Sequence, residues 1–349
     1  MMSNHLKFIN LAHDVASKNL GKTFPNPTVG CVISKNNIII SKAVTSATGR
    51  PHAEEIALKK AGKKAKGAIM YVTLEPCFHN SQNGSCADQI LRSGINKIYI
   101  SCIDQDPRTK KKSISKLKKN KIKVITGIEK DKTISVNNFY FKSLKKKKPF
   151  TKVKMAISND NKIAWSNYKS KWISNSKSRA YVHSLREKTQ AILTTSKTIL
   201  IDNPRFTVRK KNKIIKNLNV IIIDKNLNIP LNINLLKNLH ERRVIIFTSK
   251  KNNKSQKLKQ LGCEIIEMKI VNNKFDLKKI FSHIYQLKIS DLMVEAGGIL
   301  FADLIKNNLV DEILLFKAPY IIGEKGVPVI EGNSLNNIKK ALLVLKSYL

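Results

Sequence analysis

Along the first 21 residues, apolar side chains recur every three or four positions, at Leu6, Ile9, Ala12, Val15 and Ala16. That spacing lays one apolar stripe along a helix. No uninterrupted apolar stretch occurs there, so the segment reads as a domain's first helix and not as a signal peptide. The period then shortens. Val29 to Ile33 and Ile38 to Ile40 flank the turn Lys35-Asn36-Asn37 and read as strands, Ala53 to Ala61 as a helix and Ile69 to Thr73 as a strand. A helix over Ala87 to Arg92 and strands over Lys97 to Cys102 and Lys123 to Thr126 continue the alternation. Short strands alternating with helices predict an α/β architecture.

The charge run Lys145-Lys146-Lys147-Lys148-Pro149 interrupts this pattern, and a fresh strand opens at Thr151 to Ala156. A domain boundary is expected there, dividing the chain into 1–147 and 148–349. Strands near Ala191 to Thr194, Val220 to Ile223, Val244 to Phe247 and Leu292 to Glu295 carry the alternation onward. No internal repeat relates the halves. The longest apolar runs fall far short of the ~20 residues a membrane helix needs, so no membrane partner is expected.

Composition sharpens the picture in two respects. At 349 residues the chain exceeds one domain, and with 42% hydrophobic and 26% charged residues it excludes disordered, collagen-like and coiled-coil classes. The net charge of +41 is abnormal, yet 56 of the 65 cationic residues are Lys and only nine are Arg. With the abundance of Asn and Ile, that skew reads as a codon bias. Base-edge and phosphate readout favour Arg, so the lysine clusters at 110–112, 116–121, 145–148 and 210–211 read as a solvated face and no specific nucleic-acid partner is expected. Five cysteines, an odd and low count, argue for a reducing, cytoplasmic compartment.

The sharpest chemical signal is His52-Ala53-Glu54, with Cys77 lying 23 residues after Glu54 and Cys86 following after eight intervening residues. One imidazole and two thiolates are three zinc ligands, which leaves the open position of a catalytic site. Zinc acidifies a water, and a carboxylate must then carry its proton to the ring and to the departing ammonia; that role falls to Glu54. Residues two apart share no mid-helix face, so His52 and Glu54 converge only if the metal lies ahead of a helix N-terminus. Pro51 before His52 and Ser85 before Cys86 both fit helix starts. His79 is the only nearby candidate for a fourth ligand, which disfavours a purely structural zinc.

Phe24-Pro25-Asn26-Pro27-Thr28-Val29-Gly30-Cys31, Pro51-His52-Ala53-Glu54 and Tyr71-Val72-Thr73-Leu74-Glu75-Pro76-Cys77, with the long gap to Cys86, resemble the deaminase half of the bifunctional riboflavin-biosynthesis deaminase/reductases. The resemblance implies a cytidine-deaminase-like three-layer α/β/α domain. The implied substrate is 2,5-diamino-6-ribosylamino-pyrimidinone 5′-phosphate, with Asn26 against the pyrimidine edge. Three positions depart from the family's pattern. Its usual basic residue between the cysteines is Gln82, a usual histidine is Thr45, and a glycine-rich stretch has become Arg108 to Lys112. Weaker substrate binding is expected, unless Lys110 or Lys111 substitutes.

In the second half, Leu292 to Gly298 followed by the helical pattern Ile299 to Lys306 reads as strand, Gly-Gly turn and helix, a place where a phosphate can approach backbone. No Gly-x-Gly-x-x-Gly fingerprint occurs, so a Rossmann domain is not expected. Arg186 and Arg209, in a chain that otherwise uses Lys, suggest a phosphate contact, with a structural ion pair as the alternative. The run from Lys152 to Arg209 is similar to the reductase half of the same family, whose fold resembles dihydrofolate reductase. That resemblance assigns Ser170, Arg186, Phe206, Arg209 and Glu295 to the ribosyl-phosphate substrate. It assigns Ala156, Trp172, Thr198, Asp202, Gly297, Gly298, Ile299, Leu300, Phe301, Ala302 and Asp303 to NADPH. The implied reaction is hydride delivery to C1′ of the opened ribose. Asp160-Asn161 stands where the family has an Asp-Gly turn, and Asn tolerates the positive φ that such a turn requires. Related sequences continue past Leu349 for about another strand; either a partner subunit supplies that edge or the domain is weaker without it, and a homo-oligomer is expected. Two rival readings remain at this level: a nucleic-acid-acting zinc deaminase, and a reductase whose deaminase half has decayed into a scaffold.

Overall fold

A computed structural model of the chain describes residues 2–79, 84–167, 175–211 and 213–331. Two compact units, Met1–Lys147 and Lys148–Leu349, divide it. The first holds helices α1 (Met2–Ser17), α2 (Ala53–Ala61), α3 (Cys86–Arg92), α4 (Lys112–Lys119), α5 (Lys130–Val136) and α6 (Asn138–Lys146). Its strands are β1 (Gly30–Lys35), β2 (Ile38–Val44), β3 (Ile69–Leu74), β4 (Lys97–Cys102) and β5 (Lys123–Thr126), in sheet order β2-β1-β3-β4-β5. The β1 strand runs antiparallel to both neighbours, and β3, β4 and β5 are mutually parallel.

Strand alternation sorts the core. Cys31, Ile33, Met70, Val72, Ile98 and Ile100 face a layer built from Ala53, Ala57 and Ala61 of α2, Ile90 of α3 and Leu117 of α4. The intervening Val32, Tyr71 and Tyr99 face Phe8, Ile9 and Ala12 of α1. The result is the expected α/β/α sandwich. Helix α1 lies so close to β1 that a Cβ at Gly30 would fall 1.9 Å from the Ala12 carbonyl oxygen, so only glycine fits there. Asn36 and Asn37 take φ of 52° and 61°, the left-handed pair of a two-residue hairpin turn. The second hairpin strand runs past the expected Ile40 to Val44, because pairing with β1 continues to Gly30 and the buried Ser41 hydroxyl donates to the Ala57 carbonyl at 2.9 Å. The lysine run 110–121 contributes α4, which buries Ser113, Ile114 and Leu117 and leaves Lys112, Lys118 and Lys119 exposed, while Lys116 pairs with Asp88 of α3.

The second unit contains β6 (Phe150–Ile157), β7 (Lys162–Ala164), α7 (Ser176–Glu187), β8 (Ala191–Thr195), α8 (Ser196–Asp202), β9 (Thr207–Lys210), β10 (Lys213–Asn217) and β11 (Asn219–Ile223). It continues with β12 (Val244–Thr248), α9 (Asn253–Gln260), β13 (Glu264–Glu267), β14 (Ile270–Val271), β15 (Lys274–Phe275), α10 (Leu277–Gln286), β16 (Asp291–Val294), α11 (Gly298–Lys306), β17 (Glu312–Lys317) and β18 (Val327–Pro328). Seven strands form one parallel sheet of order β13-β12-β11-β8-β16-β6-β17. Both faces are covered. Leu193, Ile221, Ile245 and Val294 pack on Ile280, Phe281 and Ile284 of α10 and on Leu304 of α11, while Ile192, Val220, Ile222 and Ile246 pack on Val182, Ile199 and Leu258.

At the Asp160-Asn161 turn, Asn161 adopts φ 60°, and the Asp160 carboxylate accepts the backbone N–H groups of Ile322 (3.1 Å) and Gly323 (2.7 Å). The C-terminal departure, like Gln82, Ser170 and Trp172, lies outside the described residues. Among the described residues no helix is long and apolar enough to cross a membrane.

Candidate active sites

In the first unit, His52 is the N-cap of α2 and Cys86 opens α3, so two helix starts deliver two of the donors. Ser85 caps α3 with a reciprocal box: its hydroxyl accepts the Asp88 N–H at 3.2 Å, and Asp88 accepts the Ser85 N–H at 3.3 Å. Cys77 arrives from the loop after β3. The ligand atoms of His52, Cys77 and Cys86 all lie within 4.8 Å of one another. His52 Nδ1 is 3.3 Å from Cys86 Sγ, and the Cys86 backbone N–H donates to Cys77 Sγ at 3.3 Å. The Cys86 thiol and N–H, together with His52, outweigh burial and pull the Cys77 thiol down toward thiolate. A borderline-soft donor set, buried and with one thiol already biased to the anion, fits zinc.

Glu54 lies in the first turn of α2, only 3% exposed. Burial lifts its carboxyl to about 7 against the opposing pull of His52, so it can both hold and release a proton near neutrality. Asn26 donates its Nδ2–H to the Gly49 carbonyl at 2.9 Å, and Thr23 Oγ1 donates to the Asn26 carbonyl at 2.9 Å. Gly49 has φ 88° and a Cβ there would meet Asn26 Nδ2 at 2.7 Å, so this glycine ties the Asn26 loop to the segment that leads into His52.

Thr45, at the family's histidine position, is buried and its hydroxyl accepts the Val29 N–H at 3.1 Å, a tie between β1 and β2. Glu75, one residue before Pro76, gathers the 104–113 segment: its carboxylate accepts from the N–H groups of Asp104 (3.2 Å) and Lys111 (3.1 Å) and from the Ser113 hydroxyl (2.7 Å). His79 does not join the three-ligand cluster; its Nε2 lies 3.4 Å from Arg50 Nη2.

In the second unit, a cavity of about 750 Å³ opens at the carboxyl ends of β8, β11 and β16, the usual place for a ligand in an open parallel sheet. Its lining includes Ala156, Thr198, Asp202, Gly297, Gly298, Ile299, Leu300 and Asp303, and, among the substrate candidates, Arg186, Phe206 and Glu295. A Cβ on Gly297 would meet nothing within 4 Å, whereas one on Gly298 would lie 2.8 Å from the carbonyl oxygens of Pro328 and Val329. The first glycine leaves the mouth of α11 open and the second is a packing requirement. Phe301 and Ala302 are buried in the core at 4% and 3% exposure, so they can meet a ligand only through backbone. Arg209 is not part of the cavity lining; its N–H donates to His183 Nδ1 at 3.2 Å and its Nε–H to Thr207 Oγ1 at 3.3 Å.

Arg186 forms the ion pair that the sequence offered as the alternative. Its Nε and Nη2 donate to the two Glu295 oxygens at 2.7 and 2.8 Å, and Nη1 to the Thr207 carbonyl at 3.3 Å. The guanidinium has five N–H groups, so two stay available to a ligand. Burial pushes the Glu295 carboxyl up, but Arg186, with Lys154 and His183, outweighs it and holds the group below its ordinary range. Lys154 is the residue the sequence reading missed. It lines the cavity, and burial, aided by Arg186, lowers its amine against the pull of Glu295 and Asp202. The signal was a lysine flanked by the buried Val153 and Met155 within a strand.

Comparisons with known proteins match each half of the chain separately. Residues 2–102 match the cytidine and deoxycytidylate deaminase zinc-binding region, and residues 149–348 match the RibD C-terminal domain. The riboflavin biosynthesis protein RibD of Aquifex aeolicus is 37% identical over 321 residues, 91% of this chain and 87% of that protein. The Buchnera aphidicola protein of the same name is 34% identical over 348 residues, covering 95% and 91%. Among solved structures, Acinetobacter baumannii RibD superposes with a TM-score of 0.88 at 28% identity, covering 98% of this chain and 94% of that one. A diaminohydroxyphosphoribosylaminopyrimidine deaminase/5-amino-6-(5-phosphoribosylamino)uracil reductase from Thermotoga maritima gives 0.83 at 29% identity, covering 97% and 92%.

Proposed function

The chain belongs to the RibD family of bifunctional riboflavin-biosynthesis deaminase/reductases, and from that premise we propose how its own residues divide the work. The first unit deaminates 2,5-diamino-6-ribosylamino-pyrimidinone 5′-phosphate, and the second reduces the ribosyl group of the product with NADPH. The observation that carries the deaminase assignment is the convergence of His52, Cys77 and Cys86 within 4.8 Å, next to a buried glutamate.

His52, Cys77 and Cys86 are the zinc ligands. Bound there, zinc acidifies a water enough to supply a nucleophile near neutral pH. Glu54 takes up one proton of the water at its carboxylate and delivers it to the ring nitrogen, then carries the second, from the hydroxyl added to the attacked carbon, to the amino group, which leaves as ammonia as the carbonyl forms. Its burial keeps the carboxyl poised between both states. Asn26, anchored through Gly49, presents its free amide oxygen to the pyrimidine edge.

In the second unit, NADPH supplies the hydride. Ala156, Thr198, Asp202 and the opening turn of α11 at Gly297 hold the cofactor, joined by Trp172. Ser170, Arg186, Phe206, Arg209 and Glu295 hold the ribosyl phosphate, with Glu295 fixing the Arg186 fork. This reading places a homo-oligomeric enzyme in the cytoplasm. Zinc-loaded protein given the diaminopyrimidine phosphate should release one equivalent of ammonia, and NADPH added afterwards should be oxidised. No NADPH oxidation with the deaminated intermediate overturns the reductase assignment. Ammonia release no faster than that of Glu54→Ala overturns the deaminase assignment.

A further inference from the structure

Two non-glycine residues with left-handed backbone stand in one short loop of the second unit, between α8 and β9. Asn203 takes φ 38° and Phe206 takes φ 42°. Asparagine tolerates that region, but for a bulky aromatic residue it is strained, and such a conformation persists only where its surroundings over-determine it. Pro204 and Phe206 of this loop line the large cavity.

The loop is held from behind by the 3₁₀ segment Asn234–Glu241 and by Arg242, the residue that ends it. Asn234 ties down the first end: its N–H donates to Asn203 Oδ1 and its Nδ2 to the Asn203 carbonyl, both at 3.0 Å. Arg242, only 7% exposed, ties down the second. Its Nη1 donates to the Arg205 carbonyl at 2.7 Å and lies 3.5 Å from the Phe206 carbonyl. Its Nη2 donates to Asn217 Oδ1 at 2.5 Å, which fixes the plane of the fork. These acceptors are neutral oxygens, two of them main-chain, so this buried guanidinium acts on backbone geometry and not on a charge.

The next carbonyl along, that of Thr207, accepts Arg186 Nη1 at 3.3 Å. The Arg186 guanidinium also lies over the Phe206 ring, 5.8 Å from its centre. Residues 205–207 are therefore gripped by two arginines, one in the cavity wall and one buried behind it. Arg242 is not among the cavity-lining residues, so it reaches the site only through that backbone.

We propose that Arg242 is a positioning residue of the reductase site: it clamps the 205–206 backbone in its strained form, so that Phe206 and Arg186 meet the ribosyl phosphate. This rests on the reductase reading above. Released from the clamp, Phe206 relaxes toward ordinary φ and carries the Thr207 carbonyl away from Arg186. The Asn203 end keeps its own tie to Asn234, so the cofactor residues Thr198 and Asp202 stay in place.

The test uses full-length protein, the deaminated intermediate and NADPH, and follows NADPH oxidation. Arg242→Met should raise KM for the intermediate about tenfold, the loss of one hydrogen bond to a charged group, and leave KM for NADPH within about threefold. Arg242→Lys should fall between, since an ammonium can hold one carbonyl but lacks the fork. Asn217→Ala, which frees the fork and spares the arginine, should move KM for the intermediate in the same direction by less. Ile284→Ala opens a cavity in the core on the opposite face of the sheet and lowers Tm, yet should leave both KM values where they were. A rise shared by both substrates in the Arg242 variants, or no rise in them and in Asn217→Ala, overturns the proposal.

Hydrogen exchange gives a readout without turnover. In the absence of ligand, the peptide covering 203–208 should exchange about tenfold faster in Arg242→Met than in Ile284→Ala. Equal exchange in the two variants overturns the clamp. Wild-type protein that oxidises no NADPH, with the faster exchange present in Arg242→Met, refutes the reductase reading and keeps the clamp.

Discussion

Breaking the Arg186–Glu295 pair tests the geometry of the second unit most directly. The two side chains are only 17% and 11% exposed, and they meet through two parallel hydrogen bonds. Removing one partner of such a pair strands the other charge, at a cost of about 3–5 kcal/mol. The cavity admits water to one side, so the lower end, about 3 kcal/mol, is expected for Glu295→Gln or Arg186→Met. In a unit of this size that lowers Tm by roughly 6–12 °C. The double variant should lose clearly less than the two singles together, with a coupling of about 2 kcal/mol.

Urea unfolding followed by tryptophan fluorescence isolates the right unit, because both tryptophans, Trp165 and Trp172, lie in the second half of the chain. The pH dependence adds a signed check. Glu295 is held below its ordinary range, so it binds its proton less tightly folded than unfolded, and its contribution is fully present above about pH 5. That contribution is lost as pH falls through the depressed folded value, and Glu295→Gln should lack this part of the acid loss. Single variants within about 0.5 kcal/mol of wild type, or strictly additive losses, refute the reasoning.

Four further outcomes are expected. Glu54→Gln should slow ammonia release by about 10²–10⁴, keep one zinc per chain by elemental analysis, and leave NADPH oxidation with the deaminated intermediate at the wild-type rate. Cys86→Ser or a strong chelator should remove the zinc and with it ammonia release, while the tryptophan-monitored stability of the second unit stays put; a coupled loss of both argues against independent units. Gly298→Ala should destabilise the second unit by about 1–3 kcal/mol through overpacking against Pro328 and Val329. Gly297→Ala, with open space at its Cβ, should affect NADPH affinity in a titration more than it affects Tm.

What the amino-acid order determined alone is whatever rests on local period and local chemistry. The alternation at Cys31-Val32-Ile33 and Met70-Tyr71-Val72 already sorts residues onto two faces, because side chains on a strand alternate whatever lies above them. His52, Cys77 and Cys86 were legible as one donor set because zinc restricts the residue types that can bind it, and Pro51 and Ser85 marked the helix starts that present two of them.

What needed the tertiary structure were the relations between distant segments. Lys154 and Glu295 are far apart in the chain and influence each other's charge only because β6 and β16 are neighbours in the sheet. Arg186 could equally have served a phosphate or a carboxylate, and the fold decided that it meets Glu295, just past the end of β16. Thr45 turned from a substituted site position into a tie within a hairpin, and Arg50 acquired a partner in His79. A sequence specifies which groups can interact. Which of them do is decided by sheet order and helix placement, since burial forces each polar group to find a partner among whatever neighbours the fold supplies.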